Sequence, residues 1–147
     1  MTETTAIRDT RLIAEDFVKL WDASSPGGLA ERAYAPDYVE HHPLPGQGPG
    51  IDGLNELAAV YFAVFPDLET KVQAVLNDGD LTVVRWSGVG THQGGQMGVP
   101  PTHRRVHFSG IDILRISGGK VVEHWGETNG LEVMQQLQAE PGPQESS

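Results

Sequence analysis

The hydrophobic period of this chain changes at Pro66, and that change limits what it can fold into. Before it, apolar residues recur at helical spacing: Ile13, Phe17, Leu20 and Trp21 in one stretch, and Leu54, Leu57, Ala58, Tyr61, Phe62 and Phe65 in another. After it they alternate, as in strands with one buried face. Proline lacks the helical N–H and crowds the preceding turn, so the second helix must stop there. Helices first and an antiparallel meander after them read as an α+β fold. The expectation is a curved antiparallel sheet forming a cone, with N-terminal helices packed across its open side.

The spacing predicts a helix over 7–21, stopped by Ser24-Ser25-Pro26-Gly27-Gly28. One or two helical turns over 29–34 follow, ended by Pro36. Residues 38–42 read as a short extended segment, and Pro43 to Gly50 as an irregular loop. Asp52 reads as the N-cap of the second long helix. Strands are expected over 68–76, 81–91, 106–116 and 120–127, with Val72, Ala74 and Leu76 on one face of the first. Asn77-Asp78-Gly79-Asp80 and Ser117-Gly118-Gly119 suit tight hairpin turns. Leu131, Met134 and Leu137 mark a short terminal helix. The chain reads as one domain over 1–147, with 1–6 and 139–147 as loose tails.

A chain of 147 residues buries a real core without staples. With no cysteine it has no disulfide, thiol nucleophile or zinc–thiolate site. A formal charge of −10 argues against nucleic acid and anionic membrane as partners. The small basic run His103-Arg104-Arg105 reads as a solvated strand start. The first twenty residues are too charged for a signal peptide, and no apolar run reaches membrane-spanning length. A soluble cytoplasmic protein is expected. Gly46-Gln47-Gly48-Pro49-Gly50 lacks the preceding strand of a dinucleotide fingerprint, and no Gly-x-Ser-x-Gly elbow occurs. No His-Glu-x-x-His or other local ligand spacing is present, and no metal is expected.

The chemistry concentrates in Thr91–Trp125, a Gly/Pro loop leading into two paired strands. Asp112 sits among Ile111, Ile113, Leu114 and Ile116. A carboxylate there either faces a pocket or is paired in the core, for instance with Arg115. Burial raises a carboxyl pKa and makes it a usable general acid or base near neutrality. Glu123 and His124 alternate faces on the next strand, so one of them shares the face of Asp112. A His–Asp pair across two strands would orient the imidazole. His41 and His42 point to opposite faces if extended, so they cannot both line one site. Tyr61, Phe65, Trp86, Phe108 and Trp125 read either as walls of a substrate site or as plain core.

Tyr38-Val39-Glu40-His41 before the Pro/Gly loop, Phe65-Pro66-Asp67-Leu68, Gly79-Asp80 and Gly90-Thr91-His92 form an ordered series of motifs. Gly98-Val99-Pro100-Pro101-Thr102, Gly110-Ile111-Asp112-Ile113, Glu123-His124-Trp125 and Gln135-Gln136-Leu137 continue it. The series resembles the SnoaL-like polyketide cyclases, also called ester cyclases, of the nuclear-transport-factor-2-like superfamily. The resemblance implies cofactor-free acid/base chemistry on a small-molecule ligand, and a homo-oligomer, dimer or tetramer. It implies a pocket aspartate at the position of Gly126, where glycine cannot transfer a proton, and a second polar group at Asp112. Asn129 stands where many relatives carry a further aspartate. The expected function is therefore cyclisation, isomerisation or lyase chemistry on a small apolar oxygenated substrate. Asp112 is the expected base, His41 or His92 the donor to the oxyanion, and His124 their support. The alternatives are a non-catalytic binding protein of the same fold and a water-activating hydrolase.

Overall fold

The computed structural model describes residues 2–94 and 99–138, with side chains from Thr10 onward. The helix α1 (Thr2–Lys19) begins ahead of the expected Ile7, so residues 2–6 are helical rather than a tail. Nothing in Thr-Glu-Thr-Thr-Ala breaks a helix. The other expected tail, 139–147, lies outside the described residues. The short helix α2 (Leu29–Ala33) passes directly into β1 (Tyr34–Glu40). Pro36 therefore lies inside a strand instead of ending a helix. The register of β1 shifts between Tyr34 and Val39, and an irregular edge strand is where a residue without an N–H is tolerated.

The second long helix, α3 (Gly50–Val64), is capped by extended Pro49, not by Asp52. Asp52 sits in its first turn, where a carboxylate meets the positive end of the helix dipole. Next come β2 (Glu69–Asp78), β3 (Leu81–Thr91), β4 (Arg105–Ser117), β5 (Lys120–Thr128) and the helix α4 (Gly130–Gln138). Gly118 and Gly119 turn β4 into β5 at φ of +60° and +78°, a left-handed pair that only glycine adopts freely.

The sheet order is β1-β5-β4-β3-β2. The strands β2 to β5 form the expected antiparallel meander, but β1 pairs parallel with β5. The expected cone of antiparallel strands is not formed. The sheet is mixed and open, neither closed nor strongly curled, with β1 and β2 at its two outer positions. A strand that precedes the meander in sequence has joined its last member, and the outer strands β1 and β2 are not paired with each other. A bulge between Val72 and Ala74 also changes the facing of β2. Val72 and Val75 pack against the core, while Leu76 is 65% exposed.

One sheet face is covered by helices. Phe17 and Val18 of α1 and Leu54 and Ala58 of α3 pack with Val84, Leu114 and Val121 of the sheet. A second cluster joins Val64, Phe65, Leu68 and Val106 to Val133 and Leu137 of α4. Among the described residues no helix is long and apolar enough to cross a membrane.

Candidate functional site

Between the helices and the covered face lies a cavity of about 860 Å³. Trp21, Leu57, Tyr61 and Met134 are among its apolar walls, the Pro43–Gln47 loop is at its side, and α4 adds Leu131 and Val133. Its polar groups include Glu40, Asp112 and His124, from three strands that adjoin in the sheet.

Pairing builds this trio. In the β4–β5 ladder Asp112 faces Gly126 and Leu114 faces His124, so Asp112 and His124 share the covered face. In the parallel β1–β5 pair Glu40 faces His124. His124 Nε2 lies 2.7 Å from Asp112 Oδ1, and His124 Nδ1 lies 2.5 Å from Glu40 Oε2. The imidazole donates to both carboxylates only with a proton on each nitrogen. Burial opposes that charge, but hydrogen bonds to Asp112 and Glu40 outweigh it and lift the His124 pKa to about 9. Burial likewise works against ionised Glu40, yet its bond from His124 leads the interactions that hold its pKa below the usual value. Trp86 Nε1–H donates to Asp112 Oδ2 at 2.6 Å, so both oxygens of the buried aspartate are held.

Gly126 is part of the same construction. A Cβ there would fall on Asp112 Oδ1 and lie 3.0 Å from His124 Nε2. The carboxylate of Asp112 thus fills the space a side chain at 126 would need. On the cavity side, His42 Nδ1 is 3.1 Å from Gly126 N and 2.9 Å from its carbonyl oxygen. Asn129 lines the cavity but is occupied structurally: it accepts from Ser109 N–H and donates to His107 O and Glu132.

The other expected site residues divide. Tyr61, Trp86 and Phe108 line the cavity together with Asp112 and His124. Trp125 and His41 do not. They stack on each other at 4.7 Å, on the face opposite the helices. There His41 bonds Glu123 at 2.7 Å, and Arg115 bridges Glu123 and Asp80. The period-two alternation that puts Asp112 inward puts Arg115, Glu123 and Trp125 outward. Phe65 and His92 are fully buried in packing outside the cavity, with ring centroids 5.6 Å apart. His92 Nδ1 accepts from Thr102 N–H at 3.1 Å, and burial, with the nearby charge of His103, lowers its pKa. It holds a loop.

Glu40 and His42 are the site residues the sequence reading passed over. Their signal was present, since both alternate with His41 along one extended segment. What was missing was the direction and partner of that segment. Among the described residues no group of three or more His, Asp or Glu side chains is placed to hold a metal ion.

An α+β sheet with helices over one face, and an apolar cavity with a carboxylate–imidazole–carboxylate chain among its polar groups, define a small-molecule protein of the nuclear-transport-factor-2-like type. Within that class the chain belongs to the SnoaL-like polyketide cyclase family, whose model matches residues 11–137. No curated protein sequence matches it. Among solved structures it is similar to TsrD from Streptomyces laurentii, with 25% identity over 90% of this chain and 97% of that one, at a TM-score of 0.79. It is also similar to IdmH from Streptomyces antibioticus, named as a candidate polyketide cyclase, with 26% identity, 85% and 95% coverage and a TM-score of 0.73. AclR from Streptomyces galilaeus, named as a candidate hydroxylase, shares 29% identity over 90% and 82% of the two chains, at a TM-score of 0.74.

Proposed function

We propose that this protein is a cofactor-independent general acid/base enzyme, a cyclase, isomerase or lyase acting on a small, largely apolar, oxygenated substrate of the polyketide-ester kind. Asp112 is the base. It removes a proton beside a carbonyl: the C–H bond breaks, the proton moves to the carboxylate, and the electron pair moves onto the enolate oxygen. His42, a histidine on the cavity wall, is assigned the hydrogen bond to that oxygen. Tyr61, Phe108 and the ring of Trp86 supply apolar walls.

The observation that carries this reading is the placement of Asp112 over Gly126. The family resemblance implies an acid at 126, and here a carboxylate from the neighbouring strand takes up that space. On this reading Asp112, which the resemblance already implies as the second polar group, serves as the acid/base in the absence of an acid at 126. The mostly apolar cavity supports a ligand with few charges.

The test is exchange of the α-proton of aromatic β-keto esters in D2O, followed with product analysis by mass spectrometry. The native protein is expected to catalyse exchange or ring closure. Asp112→Asn is expected to lower kcat/KM by about 100- to 10,000-fold. Saturable binding with no exchange would replace this reading by a binding function, and undiminished turnover in the Asn variant would remove Asp112 from the chemistry.

A further inference from the structure

The acid/base reading leaves one half-buried charge without a task. Glu40 sits on β1, far from Asp112 in sequence, yet its carboxylate closes the other side of the His124 ring. It is held from three directions: by His124, by the His42 backbone N–H at 3.2 Å and by the Tyr38 hydroxyl at 3.3 Å. Gln47 Nε2 in turn donates to that hydroxyl, at 3.4 Å. A surface glutamate has no need of such a frame.

A neutral imidazole carries one proton and can place it on either nitrogen. If it sits on Nδ1, a bare Nε2 lone pair faces the Asp112 carboxylate, and Asp112 must become protonated or turn away. We propose that Glu40 is the positioning residue of this site: accepting from Nδ1–H, it keeps a proton on both nitrogens of His124, so that Nε2–H is always presented to Asp112 and fixes the orientation of its carboxylate towards the cavity. The proposal rests on the acid/base reading for its catalytic meaning, but not for its geometry. The titratable groups around the ring are Asp112 from β4, Glu40, Tyr34 and Tyr38 from β1, and His42, which touches Glu40 through its N–H; among the described residues α1 presents the Phe17 ring, 5.4 Å away. Two carboxylates on one imidazole are the only strong charges bonded to it among the described residues, and both favour the cation.

The experiment uses nitrogen-15 spectra of the histidine side chains in the full-length protein, with no substrate present. Native His124 is expected to show both ring N–H groups at neutral pH and to titrate near pH 9. In Glu40→Gln the amide oxygen still accepts from Nδ1–H, so shape is kept and charge is lost. The midpoint is expected to fall by at least about one pH unit, and kcat by about 10- to 100-fold, the span of a charge-assisted hydrogen bond, with KM within about twofold. Glu40→Asp is expected to recover part of kcat. A neutral His124 in the native protein at pH 7, or an unchanged midpoint in Glu40→Gln, overturns the assignment. A shifted midpoint together with full turnover in Asp112→Asn would sink the acid/base reading and leave the hold of Glu40 on His124 standing.

Discussion

At position 126 any side chain must share space with the Asp112 carboxylate and with His124 Nε2. That carboxylate cannot swing aside cheaply, because its two oxygens are held by His124 and Trp86. Gly126→Asp is therefore expected to destabilise the fold by about 1–3 kcal/mol through overpacking and carboxylate repulsion, read as a lower urea midpoint. No gain of turnover is expected from it. A variant of native stability with increased activity would show that the two acids can coexist. The glycine was visible in the sequence, but its reason was not. Alternation told that Asp112 and one residue of the Glu123–His124 pair share a face. It could not tell that the carboxylate reaches across the ladder to stand over residue 126.

The helix α4 is joined to the sheet by side chains that imitate a strand. Beyond Gly110, β4 has no β5 partner. There Gln136 accepts from His107 N–H and donates to His107 O, and Asn129 accepts from Ser109 N–H. Gln136→Ala removes two of these bonds in a partly solvated place, where a net loss of about 1 kcal/mol is expected. Amide exchange should accelerate in α4 and at the His107 N–H, and leave β3 and the rest of β4 protected. Because Leu131, Val133 and Met134 line the cavity, ligand affinity should fall with it. Uniform acceleration over the whole molecule would contradict this local role. Most elements were legible from the chain: the strands and turns after Pro66 follow from alternation and from Asp-Gly and Gly-Gly pairs. The exceptions have local causes. A strand carries Pro36 because it lies at an outer position, and the bulge after Val72 reverses the faces of Ala74 and Leu76, which no periodicity shows.

Across the whole molecule, Glu40, His124 and Asp112 tie β1, β5 and β4 by charge as well as by ladder. The folded pKa of His124, about 9, lies above its ordinary 6.5. Its contribution is therefore fully present below pH 6.5 and is lost as pH rises through about 9. The side chain is only 11% exposed, so solvent screening is small, and the loss is on the order of 3 kcal/mol. The pKa of Glu40 is lowered, so its contribution is present above its ordinary 4.5 and is lost on acidification through the folded value. Urea unfolding is expected to show greatest stability at about pH 5 to 6.5, with a decline towards pH 9 that is smaller in Glu40→Gln. A flat profile from pH 6.5 to 9.5 would deny that the trio is charged as described.

The chain alone determined the helices, the meander, the family and one inward acid at Asp112. These rest on periodicity, on turn residues and on motif order, all of which act over a few residues. Only the tertiary structure decided that β1 lies parallel against β5, joining Glu40 to His124 across 84 positions. That single pairing sends His41 out to Trp125 and brings Glu40 and His42 to the cavity. A parallel partner so distant is chosen by the packing of whole elements on a shared core, and no local pattern in either strand records it.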